Sequence, residues 1–143
     1  MPTDKTDEEF LALLEVVSRH AVAGLTIGNL MKNRSALQHP ERLSASVEGN
    51  LSGLPDKKRT TELIRLAYRH YQGRFVIIGV GGVFSAEGAY EKIRAGASLV
   101  GLVTALMFEG PQIIGEINEG LVRLLKKDGF SSIAEAVGAD HKS

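Results

Sequence analysis

The sequence predicts an α/β fold built on three parallel strands, and three observations carry that prediction. The stretch Phe75 to Thr104, FVIIGVGGVFSAEGAYEKIRAGASLVGLVT, holds two apolar strand-like runs joined by one helical segment. Only a few residues separate each run from that helix, which implies tight alternation of strand and helix. Elsewhere apolar residues recur at helical spacing, with one further short strand candidate near the N-terminus.

Thr6 with Glu9 three residues on makes a capping box, and Phe10, Leu13, Leu14 and Val17 share one face of a helix from about Asp7 to His20. The opening MPTD reads as the tail of something longer. Ala23 to Ile27 is the first strand candidate, broken by Gly28. Asn29 to Lys58 follows with no sustained period and with Pro40, Gly49, Gly53 and Pro55, the pattern of a long binding loop, a lid or a disordered segment. A second helix spans Thr61 to Tyr71, burying Leu63, Ile64, Ala67 and Tyr71, and Gly73 closes it.

Phe75 to Ile78 is an uninterrupted apolar run, expected of a parallel strand covered on both faces and stopping at Gly79. Gly81 and Gly82 then lead to Ser85, a good N-cap, so the chain leaves the strand through a turn free of side chains. Backbone N–H groups in such a turn, next to a helix N-terminus, suit a phosphate; the same glycines also serve a plain tight turn. The helix AEGAYEKIRAG ends at Gly96, and the strand Ser98 to Val103 ends at Thr104, whose hydroxyl reaches the same ligand if the two strands are neighbours. Read alone, Thr104 is more often a helix cap than a ligand, and Asn29 more often a loop asparagine satisfying its own backbone. The pair Met107 and Phe108 reads as core. A last long helix from about Pro111 to Lys127 offers Ile113, Ile114, Ile117, Leu121, Leu124 and Leu125 to a core, with Gly129 as terminator, and a short helix from Ser132 to Val137 precedes a polar tail.

Composition narrows the function classes. The 143 residues carry 17 basic and 17 acidic side chains, so no basic excess recommends nucleic acid as a partner. There is no cysteine, hence no disulfide or thiolate chemistry, which is compatible with a reducing cytoplasm. No apolar run approaches the ~20 residues of a membrane span, and a soluble cytoplasmic chain is expected. His20, His39, His70 and His141 show no metal-ligand spacing, so no metal site is expected. Lys57, Lys58 and Arg59 read as a solvated basic face or as a cationic loop beside an anionic ligand. Three consecutive βα units make either a small open sheet or part of a (β/α)₈ barrel; a whole barrel needs ~250 residues.

Four motifs decide between these: IIGVGGVFSAEGAYEKIRAGASLVGLVTAL, the LSG-x-P of Leu51 to Pro55, the GL-x-x-x-N of Gly24 to Asn29, and the closing AVGADHK. Together they resemble the dihydroorotate dehydrogenases, specifically the quinone-dependent class 2 enzymes, along the whole of residues 1–143. The resemblance implies one partial domain, the C-terminal portion (about three βα units) of an FMN-binding (β/α)₈ TIM barrel, with the first five strands absent. It implies that Gly81 and Gly82 give backbone amides to the FMN phosphate, that Val103 and Thr104 complete that site, and that Gly28, Ser52 and Gly53 lie against the cofactor. Asn29 matches an asparagine that binds the pyrimidine, a role suited to an amide that donates and accepts.

The family's pattern is not followed throughout. Gly28-Asn29-Leu30 stands where Thr-Asn-Thr is usual, and Val103 where a tyrosine is usual. In the complete enzyme a base removes the C5 proton of dihydroorotate, hydride passes from C6 to the flavin, orotate forms, and quinone reoxidises the flavin in pyrimidine (UMP) biosynthesis. The serine base and the lysine beside the flavin belong to the first five strands, and an N-terminal extension carries the quinone site and membrane association. No catalytic residue is therefore expected here, and the chain alone is expected to be inactive, joining a missing N-terminal half-barrel or itself. Other readings are a different FMN barrel oxidoreductase, such as a dihydrouridine synthase or dihydropyrimidine dehydrogenase, and a non-catalytic phosphate-binding or decayed module.

Overall fold

The computed structural model describes residues 1–28, 30–37, 39–42, 44, 46 and 48–142, those at 36 and 42 by backbone only. Helix α1, Asp7–Ser18, opens on the capping box: the Thr6 hydroxyl accepts from Glu9 N and the Glu9 carboxylate accepts from Thr6 N. Strand β1, Gly24–Ile27, is followed by helix α2, Lys57–His70, strand β2, Val76–Val80, helix α3, Ala86–Ala95, and strand β3, Leu99–Gly101. Helices α4, Thr104–Glu109, α5, Gln112–Asp128, and α6, Ile133–Ala136, complete the order. The three strands form one parallel sheet in the order β1-β2-β3, with Thr26 opposite Ile78 and Gly79 opposite Val100.

The helices lie on one face of this sheet. Phe10 and Leu14 of α1, Leu63 and Ile64 of α2, and Ile27 and Ile77 of the strands make one core, and none is more than 2% exposed. A second cluster joins Val83, Ala89 and Ala105 to Ile113 and Ile117 of α5. Tyr90 and Ile93 pack with Leu125 and Ala136.

The other face is open. Thr26 is exposed, Val76 is 49% exposed and Leu99 57%. The expectation that β2 is covered on both faces is thus corrected: its run is continuously apolar, yet only alternate residues meet a helix. The strand also continues through Gly79 to Val80. A Cβ on Gly79 would sit 2.8 Å from Ile64 Cδ1 and 3.2 Å from the Ala97 Cβ, so this glycine marks close helix packing, not a stop.

Other limits shift as well. Helix α2 begins four residues before Thr61, because a 3₁₀ turn over Leu54–Asp56, with Pro55 inside it, delivers the chain in helical direction. The Thr60 and Thr61 hydroxyls donate to the Asp56 and Lys57 carbonyls, each at 2.8 Å, so they sit inside the helix and not at its cap. Tyr71 is half-buried and packs against the edge of the first core, and Ile114 is 46% exposed and lies outside it. Strand β3 is three residues long, not six, since Val103 already precedes α4.

Met107 and Phe108, read as core, are 80% and 78% exposed on α4. With Val103 and Leu106 they make four exposed apolar side chains within six residues at α4. Replacing both by serine is expected to move the chain toward the monomer in size-exclusion chromatography with an unchanged circular dichroism spectrum; an unchanged elution profile would count against the patch as an association surface. No described helix is long and apolar enough to cross a membrane.

Candidate functional site

The C-terminal ends of the three parallel strands meet in a cavity of about 320 Å³. Gly28 follows β1, Gly81 and Gly82 follow β2, and Leu102, Val103 and Thr104 follow β3; all of them line it. Ser52 and Gly53 reach the same cavity from the long connection between β1 and α2. An antiparallel bridge brings the arms of that connection together, with Met31 N donating to Leu51 O at 2.9 Å and Leu51 N to Met31 O at 2.7 Å. Next to the bridge, Ser52 Oγ lies 2.6 Å from Thr104 Oγ1, fastening the connection to the end of β3.

The structure therefore brings together Gly28, Ser52, Gly53, Gly81, Gly82, Val103 and Thr104. Asn29 lies outside the described residues. The β2–α3 turn is as tight as the sequence requires: Gly81 has φ +101° and Gly82 φ +68°. A Cβ on Gly82 would come within 2.4 Å of the Lys57 Cβ and 3.1 Å of the Gly53 carbonyl oxygen, so α2 and the connecting segment seat directly on this turn. Ser85 caps α3 through Gly88 N, whereas no side chain caps α4. Those uncapped first-turn amides open beside Thr104.

Two features were not legible in the sequence. One is α4, hidden because Ala105 to Phe108 continue the apolar run of β3. The other is Asp56, which lines the cavity while only 2% exposed. Its Oδ1 has no hydrogen-bond partner. Burial pushes its carboxyl up to about 6, opposed by the Lys92 ammonium and by the nearby Thr3 hydroxyl and reinforced by Asp4. Nothing in the spacing of D-K-K-R-T-T announces a buried acid.

Lys92 of α3 is fully buried behind the same turn. Its ammonium donates to Thr60 Oγ1 at 2.6 Å, Thr61 Oγ1 at 3.0 Å and the Lys57 carbonyl at 3.4 Å. Burial pulls it down to about 8. The basic run does not enter the site: Lys57 pairs with Glu91 at 3.0 Å and Arg59 with Asp7 at 2.8 Å, and none of Lys57, Lys58 and Arg59 lines the cavity.

The donor set accordingly suits an anion held by backbone amides and two hydroxyls. Two glycines without Cβ, an uncapped helix start and the Ser52–Thr104 pair supply donors, and among the described residues no cationic side chain lines the cavity. A phosphate ester fits that set; the Asp56 carboxylate is the one group opposed to it.

The model of the family described as dihydroorotate dehydrogenase matches residues 1–125. The dihydroorotate dehydrogenase (quinone) of Anaeromyxobacter dehalogenans is 44% identical over 140 residues, which is 97% of this chain and 38% of the relative. That of Deinococcus radiodurans is 48% identical over 130 residues, 91% of this chain and 34% of the relative. A crystal structure of the Eimeria tenella enzyme in complex with ferulenol superposes with a TM-score of 0.91 at 30% identity, covering all of this chain and 38% of that one. Its ligand-free form gives 0.88 at 31% identity. The chain thus spans less than two fifths of the length of the curated relatives it matches. Those structures are TIM-barrel enzymes, so the three-stranded sheet with its open inner face is a segment of a barrel wall. By sequence and by fold, the chain belongs to the dihydroorotate dehydrogenase family.

Proposed function

We propose that this chain supplies the FMN-phosphate site and one wall of the active site of a dihydroorotate dehydrogenase that oxidises dihydroorotate to orotate in pyrimidine biosynthesis, with quinone as electron acceptor. The family is flavin-dependent, and the single observation that carries the reading is the convergence of Gly81–Gly82, Val103–Thr104 and Ser52–Gly53 on one cavity at adjacent strand ends. When bound, FMN supplies the two-electron acceptor that side chains lack. The residues of this chain bind and orient it: the β2–α3 turn and the start of α4 hold the phosphate, and the Ser52–Thr104 hydrogen bond fixes the connecting segment against it.

The general base and the remaining barrel wall come from outside these residues, so the chain alone binds without catalysing. Leu30 lines the cavity where a hydroxyl is usual in the family; the pyrimidine contact that the resemblance gives to Asn29 is part of this proposal.

The test is flavin binding by fluorescence quenching, comparing FMN with riboflavin, for the chain alone and co-produced with the first five strands of a relative. FMN binding tighter than riboflavin in either sample is the expected outcome, and equal binding of both would remove the phosphate site. Substituting Ser52→Ala or Thr104→Ala breaks the 2.6 Å bond and is expected to weaken FMN by about fivefold, the equivalent of ~1 kcal/mol, while leaving riboflavin unchanged.

A further inference from the structure

Asp56 is out of keeping with an anion site. Its carboxyl lines the cavity, and a Cβ on Gly81 would come within 2.8 Å of its Oδ2, so it packs directly beneath the turn that cradles the ligand. The Lys92 ammonium and the Thr3 hydroxyl offset its charge only in part. The Lys92 ammonium, the cation facing it from α3, has three donors, and all three are spent on Thr60, Thr61 and Lys57 carbonyl oxygen. Lys57 of α2 turns its own ammonium to Glu91. From the N-terminal segment Thr3 and Asp4 face it: the Thr3 hydroxyl favours the charged form, and the Asp4 carboxylate accepts from Lys32 N at 3.0 Å and adds negative charge. A carboxylate whose Oδ2 packs against the Gly81 turn would confront a phosphate held by that turn.

We propose that Asp56 is a proton-linked selector on this site: the phosphate is admitted only while the carboxyl is neutral, with its O–H turned to a phosphate oxygen, so wherever the free carboxyl is ionised each phosphate ester bound takes up one proton from solvent. The proposal rests on the reading of the cavity as a phosphate site. A neutral carboxyl turns like-charge repulsion into a donated hydrogen bond. The position of the carboxyl near 6 places the transition in an accessible range: above it, each pH unit weakens binding by about tenfold in the wild type.

The experiment measures FMN and riboflavin affinity at pH 5 and pH 8 for the wild-type chain, Asp56→Asn and Asp56→Leu, together with proton uptake on FMN binding, from calorimetry at pH 8 in two buffers of different ionisation enthalpy. Wild-type affinity for FMN is expected to fall on the order of 100-fold more than that of Asp56→Asn between the two pH values, with riboflavin flat. At pH 8 the wild type is expected to take up one proton more per FMN than Asp56→Asn. Asp56→Leu loses the pH dependence and also binds more weakly than the wild type at pH 5, because it has no donor. Identical pH profiles and proton counts in wild type and Asp56→Asn overturn the proposal and leave the phosphate site standing. FMN bound no better than riboflavin in every protein at both pH values overturns the phosphate site, and the proposal with it.

Discussion

Replacing Lys92 by alanine is expected to cost the fold about 3–5 kcal/mol, read as the shift in urea unfolding at pH 7. The lysine is fully buried, its stem packs where a Cβ on Gly79 would lie 3.3 Å from Lys92 Cδ, and its ammonium ties α3 to the first turn of α2 through three hydrogen bonds. Truncation to alanine empties that volume and frees the start of α2, the part of the chain that seats on Gly82. Against a typical total of about 5–15 kcal/mol, reduced here by the open sheet face, such a loss leaves the chain largely unfolded. Lys92→Met keeps the stem and removes a charge that burial already disfavours, so its cost is expected to be about 1–2 kcal/mol. The sign of the pH response separates volume from charge. The ammonium titrates near 8 in the folded chain and above 10 when unfolded, so wild-type stability rises as pH increases across that window, because the native state sheds the proton first. Lys92→Met lacks that rise. Both variants within 0.5 kcal/mol of wild type would show that the buried ammonium carries no part of the fold.

The central stretch was legible because its constraints are local. An apolar run, two glycines, a serine cap and a terminating glycine each answer to a backbone requirement met within a few residues, and β2, the Gly81–Gly82 turn, the Ser85 cap and Gly96 stand where those requirements place them. The strand-end residues of the site were legible for the same reason, once neighbouring parallel strands brought their ends together. What escaped depended on packing far along the chain. Gly79 looked like a stop because its contact with Ile64 and Ala97 is tertiary. Met107 and Phe108 looked like core because apolar character does not reveal whether the wall that covers it belongs to the same stretch of chain. Asp56 looked like any acid before a basic helix start, and only the approach of Gly81, Lys92 and Thr3 makes it a buried carboxyl lining the cavity.

Gly82→Ala is expected to lower the affinity for FMN by 100-fold or more, the equivalent of about 3 kcal/mol, while leaving riboflavin binding within about twofold. The residue has φ +68°, a conformation that costs any L side chain about 1–2 kcal/mol, and its Cβ would stand 2.4 Å from the Lys57 Cβ and 2.8 Å from the Lys57 Cα. The second clash is with backbone at the first residue of a helix and cannot be relieved by turning a side chain. The turn must move away from α2 and carry its amides off the proposed phosphate position. Gly129→Ala is the matched comparison: φ is +78°, but nothing lies within 4 Å of the added carbon, so it tests conformational strain alone and is expected to cost about 1 kcal/mol of stability with FMN affinity unchanged. If the two variants lose the same stability and Gly82→Ala still prefers FMN to riboflavin as strongly as wild type does, the phosphate is not held by this turn. A loss confined to FMN in Gly82→Ala would tie the close packing of α2 on the β2–α3 turn to cofactor binding, since the contact that forbids a side chain is the one that sets where the amides point.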